Sequence, residues 1–192
     1  RDVVVVAARR GPFTVRSRMP AMPKDRDNLV WVAGAALWRA LERSGTPNGI
    51  AVTISKRIPS EAGLGGASSD AATTLRGLAR LWAPEAADAV VREVAAIVGS
   101  DVPFFLEGGT VLATGRGEQT RRLAPLRKHW VVLAVPAFGI STPRAYHWWD
   151  TSKRPSTTAI AAPRKWRQRL DLLCNDLEQP VVARHPEIGD MV

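Results

Sequence analysis

The stretch Pro59-Ser60-Glu61-Ala62-Gly63-Leu64-Gly65-Gly66-Ala67-Ser68-Ser69-Asp70 separates two segments of different periodicity. Before it, Ile50, Val52, Ile54 and Lys56 alternate with Ala51, Thr53, Ser55 and Arg57, the period-two pattern of a strand over 50–58. After it, Ala71, Ala72, Leu75, Leu78, Ala79 and Leu81 form an apolar helical stripe that Pro84 stops. The order is strand, glycine-rich turn, helix. Gly63, Gly65 and Gly66 lack Cβ, so their backbone can take positive φ and bring N–H groups close to an anion. A helix starting near Ala67 aims its free N–H groups and positive dipole end at the same place. Ser68 and Ser69 add hydroxyls able to reach phosphate oxygens or a bound Mg²⁺. The lysine of G-x-x-x-x-G-K-S/T is absent, and Ser68 takes the third glycine position of the dinucleotide fingerprint, so both of those motifs fail. The plain alternative is a turn whose serines cap the helix. It accounts for the serines but not for three glycines within four residues.

Working outward, Val3 to Ala8 and Phe13 to Arg18 read as strands around a turn at Gly11-Pro12. Residues 19–26, with two prolines and mixed charge, read as a loop. Asn28 is placed to cap a helix carrying Leu29, Val32, Ala33, Ala36, Leu37, Ala40 and Leu41, which Gly45-Thr46-Pro47-Asn48-Gly49 ends. A second helix is expected over 86–98, stopped by Gly99, with a strand over 110–114 turning out at Gly115-Arg116-Gly117-Glu118. Trp130 to Val135 reads as another strand, 136–142 as a loop and 149–163 as a polar, mobile stretch. Helices over 164–173 and 177–184 flank Asn175-Asp176, where Asn175 reads as a cap rather than a site residue. The fold class is mixed α+β.

Gly99-Ser100-Asp101-Val102-Pro103-Phe104-Phe105 is a short, irregular join in which one carboxylate sits among small and apolar residues. Burial would raise the pKa of such a group and a nearby cation would lower it. It could accept a proton from a substrate hydroxyl during phosphoryl transfer. Capping of a turn is the competing reading of Asp101.

The composition, 45% hydrophobic and 23% charged over 192 residues, is that of a folded chain rather than a disordered tail. One cysteine, Cys174, excludes an internal disulfide framework and a cysteine-based metal site, fits a reducing, cytoplasmic setting and reads as a small core side chain. No apolar run reaches the ~18 residues of a membrane span. The net charge of +9 allows nucleic acid, a membrane surface or phosphorylated small molecules as partners, but its basic residues are scattered. Trp31, Trp38, Trp82 and Trp130 suit core or boundary positions.

The run from Lys56 to Ala72 resembles the phosphate loop of the GHMP kinase superfamily. Three further pieces resemble its 4-diphosphocytidyl-2-C-methyl-D-erythritol kinase family: Gly99 to Phe105, Gly108 to Glu118, and Asn175-Asp176-Leu177-Glu178. The resemblance covers nearly the whole chain. It implies a GHMP kinase fold, with a ribosomal-protein-type α/β domain over 1–122 and an incomplete ferredoxin-like domain over 123–192. It implies phosphorylation of the 2-hydroxyl of a cytidine-diphosphate-linked methylerythritol with ATP and Mg²⁺, in non-mevalonate isoprenoid precursor synthesis. Asp101 matches the family's catalytic aspartate, and Pro59, Gly63, Leu64, Gly65, Gly66, Ala67, Ser68 and Ser69 match its ATP phosphate loop. Asn28 and Lys56 match positions near the adenosine, and Tyr146 matches an aromatic that stacks on the substrate's cytosine. The implied partner is a small molecule, with neither nucleic acid nor membrane, and no metal ligand is assigned to a side chain.

The chain departs from the family pattern in five places. The family's opening strand carries a lysine that pairs with the catalytic aspartate, and a Gly-Tyr-His segment touches the cytidine; neither motif occurs here. The late glycine-rich motif is also missing. Both ends therefore read as cut from something longer, and these residues alone are expected to bind ATP weakly if at all and to show little turnover. Ala67 stands where a loop glycine is common, and Glu61 brings an acid to the phosphates unless it points away. Two alternatives remain: another GHMP kinase, acting on a mevalonate-pathway intermediate, homoserine or a sugar, or a basic nucleic-acid-binding domain.

Overall fold

The computed structural model of the chain describes residues 1–17, 23, 27–85, 88–125, 130–152 and 175–191. The helix expected over 164–173, most of the 19–26 loop, residues 153–163, Trp166 and Cys174 lie outside the described residues. The chain divides into two compact units, Arg1–Ser60 with Leu64–Pro125, and Glu61–Gly63 with Leu126–Val192.

The first unit holds β1 (Val3–Pro12), β2 (Thr14–Ser17), α1 (Leu29–Ala40), β3 (Asn48–Ser55), α2 (Gly66–Trp82), α3 (Asp88–Val98), α4 (Val102–Glu107), β4 (Val111–Thr114) and β5 (Gln119–Arg122). Although β1 and β2 are consecutive, they do not pair: β3 lies between them, antiparallel to β1 and parallel to β2. The connection passes over the start of β3, where the Phe13 amide donates to the Pro47 carbonyl at 3.0 Å. The alternation read from the sequence is the sheet's two-sidedness. Ile50, Val52 and Ile54 are buried, while Val3 and Val5 on the far side of β1 are exposed.

Helices cover the buried face. A Cβ on Gly77 of α2 would lie 2.8 Å from Val6 of β1, and one on Gly34 of α1 would lie 2.6 Å from the Phe13 ring. Backbone and sheet therefore approach closely where the helices carry no side chain. Leu37, Leu75, Leu78 and Val94 complete the core. Helices α1 and α2 meet at their C-terminal ends: the Trp38 and Trp82 rings are 5.1 Å apart, and Arg43 donates to the Trp82 carbonyl.

Three local readings change. The join after Gly99 is not irregular; Val102–Glu107 forms α4, with Pro103 in its first turn where a missing N–H is tolerated. The turn at 115–118 leads into β5, which pairs with β4 as a hairpin. The strand expected over Trp130 to Val135 does not form: these residues are unpaired and exposed, Trp130 fully so. Valine-rich composition favours a pleated, half-buried surface, and without a ladder partner among the described residues the propensity has nothing to act on.

The described residues of the second unit form α5 (Thr142–Thr151), α6 (Glu178–Val182) and α7 (Pro186–Gly189). Helix α5 includes Trp149 and its neighbours, which the sequence placed in a polar stretch. Phe138 stacks on His185 at 5.0 Å, and Trp148 lies 5.7 Å from the same imidazole. The guanidinium groups of Arg144 and Arg184 each sit 5.1 Å from the Trp148 ring centre.

Candidate functional site

The turn into α2 has the backbone that its glycines suggest. Glu61, Gly63 and Gly65 have φ of 53°, 68° and 65°, in the left-handed region. Gly65 is the N-cap of α2 and offers no side-chain oxygen. The first helical bond runs from the Ser69 amide to the Gly65 carbonyl at 2.9 Å. The amides of Gly66, Ala67 and Ser68 therefore have no hydrogen-bond partner among the described residues, at the positive end of a 17-residue helix. The serines do not act as side-chain caps. Ser69 instead donates to the Gly66 carbonyl at 2.9 Å, which turns its hydroxyl back onto the helix, while the Ser68 hydroxyl has no partner among the described residues.

Pro59, Ser60 and Leu64 to Ser69 belong to the first unit, and Glu61 to Gly63 group with the second. There the Glu61 carbonyl accepts from the Ile140 amide at 3.0 Å, and its side chain lies against Gly139.

Beneath the turn is a cluster that sequence reasoning missed. Lys56, just past β3, donates to Asp2 and to Asp70 Oδ2, the latter at 2.9 Å. The three side chains are buried, at 9%, 2% and 5% exposure. Asp2 also accepts from the consecutive amides of Arg57 and Ile58. Burial acts to raise the Asp2 pKa, but the bonds from Arg57, Lys56 and Ile58 outweigh it and hold the carboxyl below its ordinary value. Asp70 has fewer donors, and burial pushes it up. Burial works against the Lys56 charge, but its two carboxylates prevail and raise its pKa. Its ammonium is thus engaged by protein acids rather than presented to solvent. The signal for Asp70 was its place in line with Thr74 and Leu78 on the inward face of α2, where a carboxylate needs a partner.

Asp101 is exposed rather than sunk among apolar neighbours, and its carboxylate caps nothing in α4. It has no ion-pair or hydrogen-bond partner among the described residues. Phe105, one turn later on α4, brings the helix to the glycine turn: a Cβ on Gly65 would lie 2.7 Å from its ring. Asp101 thus stands at the start of the short helix whose Phe105 ring packs on the turn. A Cβ on Gly117 would lie 3.2 Å from the Ser100 carbonyl, so the β4–β5 turn closes on the same segment. Leu29 comes within 3.9 Å of a Cβ built on Gly99, which places the N-terminus of α1 alongside. There Asn28 is an N-cap, accepting from the Val30 amide at 2.9 Å and donating to the Pro23 carbonyl at 2.9 Å. The first unit thus gathers Asn28, Lys56, the turn from Leu64 to Ser69 and Asp101 at one end. Tyr146 lies on α5 of the second unit, more than half exposed.

A strand leading through left-handed glycines into a helix with unpaired first-turn amides is a backbone arrangement able to hold an anion. The family described as "GHMP kinases N terminal domain" matches residues 28–109. The chain is 38% identical to the 4-diphosphocytidyl-2-C-methyl-D-erythritol kinase of Heliobacterium modesticaldum, over 99% of this chain and 67% of that protein. It is 40% identical to the enzyme of the same name from Bacillus pumilus, over 93% of this chain and 62% of that protein. A crystal structure of 4-(cytidine 5'-diphospho)-2C-methyl-D-erythritol kinase superposes with a TM-score of 0.68 at 28% identity, covering 99% of this chain and 67% of that one. The chain belongs to the 4-diphosphocytidyl-2-C-methyl-D-erythritol kinase family of GHMP kinases, and spans about three fifths to two thirds of the length of these relatives.

Proposed function

We propose that the protein of which this chain is a part transfers the γ-phosphoryl group of ATP to the 2-hydroxyl of 4-diphosphocytidyl-2-C-methyl-D-erythritol. The observation that carries this is the set of unpaired amides of Gly66, Ala67 and Ser68 next to the α4 segment that bears Asp101. The nucleotide-gripping part is assigned to residues 1–122, and 123–192 to the second domain.

The residues present fit a nucleotide phosphate chain. Backbone N–H groups at a helix N-terminus bind phosphate oxygens without needing a lysine. With Lys56 engaged by two acids, the turn relies on these amides, the dipole of α2 and the Ser68 hydroxyl. Among the described residues no cluster of His, Cys, Asp and Glu of metal-holding size forms. Mg²⁺ therefore fits best as an ion carried in by the phosphates, completed by water and a single carboxylate or hydroxyl. Bound MgATP supplies the phosphoryl group and offsets its charge. Asp101 orients the acceptor hydroxyl and takes its proton at the carboxylate; its exposure leaves both oxygens free for this. Glu61, turned against Gly139, does not need to face the phosphates. Asn28 and Lys56 are assigned to the adenosine side through their backbone, since their side chains are spent on internal bonds. The exposed Tyr146 ring is assigned to stacking on the cytosine.

The test is a coupled kinase assay on the protein extended to the length of its relatives. Asp101→Asn is expected to lower kcat by about 10²–10⁴-fold with little change in the KM for ATP. Unchanged turnover would remove Asp101 from the catalytic role. Activity on mevalonate, and none on the cytidylyl substrate, would reverse the choice of substrate.

A further inference from the structure

We propose that Lys56, clamped between Asp2 and Asp70, is a positioning residue that staples the two ends of the phosphate turn and sets its amides in place before nucleotide arrives. The proposal rests on the nucleotide-binding reading of the turn. The geometry is specific. Asp2 takes the amides of Arg57 and Ile58, which are the entrance to the turn. Lys56 carries the connection to Asp70, which is the second turn of α2 and the exit. A Cβ on Gly66 would lie 3.2 Å from the Lys56 ammonium and 3.1 Å from Ile58, so entrance and exit are packed against each other. What lies between them contains three left-handed residues, whose ordering costs conformational entropy.

The charge count argues that stability is not the purpose. Two buried carboxyl groups share one ammonium, so the charged form of one of them is left without a balancing partner below a site for anions. Burial disfavours the charged form of Asp70, and the desolvation of such groups commonly offsets their attraction. Lys56 with Asp2 alone would be a balanced pair. Asp70 adds a link to α2 that the balanced pair lacks. A turn left unlinked would occupy binding-competent geometry only part of the time, and apparent affinity falls in proportion to that fraction.

The test compares Asp70→Ala with Asp70→Asn in the full 192-residue chain. Backbone amide exchange is read at 63–69 and in β3, together with MgATP affinity by titration. Asp70→Ala is expected to speed exchange at 63–69 and weaken MgATP binding, each by about tenfold, while β3 exchange stays within about threefold of the unaltered chain. Asp70→Asn, which retains an acceptor for Lys56, should be less affected on both counts. Should Asp70→Ala not fold, Asp70→Ser, whose hydroxyl is too short to reach Lys56, takes its place. Unchanged exchange at 63–69, or exchange in β3 rising in step with it, would overturn the staple. If the unaltered chain binds no MgATP at millimolar nucleotide, the nucleotide reading fails, and the exchange comparison still decides the staple.

Discussion

At the scale of single residues, two glycines of the same turn separate backbone strain from packing. Both Gly63 and Gly65 have positive φ, which costs an alanine about 1–2 kcal/mol. Around Gly63 a Cβ meets nothing within 4 Å, whereas at Gly65 it would enter the Phe105 ring. Overpacking adds about 1–3 kcal/mol. Gly65→Ala should therefore destabilise the chain by about 2–5 kcal/mol and Gly63→Ala by about 1–2 kcal/mol, measured by urea denaturation. Equal losses would mean that α4 is not seated on the turn. The positive φ values were legible in the glycine spacing. The Phe105 contact was not, because a glycine can mark a left-handed turn or a close approach and nothing in its spacing says which. Asp2, Lys56 and Asp70 were illegible as a group for a related reason. Each is an ordinary surface residue type, and only the pairing of β1 with β3 brings Asp2 to Lys56.

At the scale of elements, periodicity carried α1, α2, α3 and β3, whose buried apolar positions face one core, although Leu81 of α2 and Ile97 of α3 are exposed. It failed where tertiary pairing outranks local pattern. Gln119-Thr120-Arg121-Arg122 has no apolar alternation, yet it forms β5 because the hairpin turn presents it to β4. Trp130 to Val135 has strong β propensity and no partner among the described residues. Likewise, nothing in the sequence of β1 and β2 announces that β3 will insert between them. The cluster that ties β1, β3 and α2 together gives a prediction at this scale. Removing one partner of a buried ion pair costs about 3–5 kcal/mol, so Lys56→Gln should lose about that much at neutral pH. The Lys56 pKa is raised above its ordinary 10.5, so the stabilisation is fully present below 10.5 and is lost as pH rises through the folded value. The acid limb is not diagnostic, because Asp2 is lowered and Asp70 raised, and their contributions run in opposite directions as pH falls. Unfolding measured from pH 7 upward should show the gap between the unaltered chain and Lys56→Gln constant to about pH 10.5 and shrinking above it. A gap that persists at higher pH would mean that the lysine contributes by packing rather than by charge.

At the scale of the whole molecule, the proposed site lies at the end of the first unit where Leu29 of α1 and Gly65 of α2 both meet the segment from Gly99 to Phe105. The opposite ends of the two helices are joined by the contact of Trp38 with Trp82. The sequence motif marked the glycine turn, but the way the turn is held came only from the fold. The most direct test of the central claim is an amide NMR titration of the ¹⁵N-labelled chain with MgATP. Saturable shifts led by the amides of residues 64–69, with Gly66, Ala67 and Ser68 largest, are the expected result. Saturable shifts elsewhere that leave those three amides unmoved would contradict it.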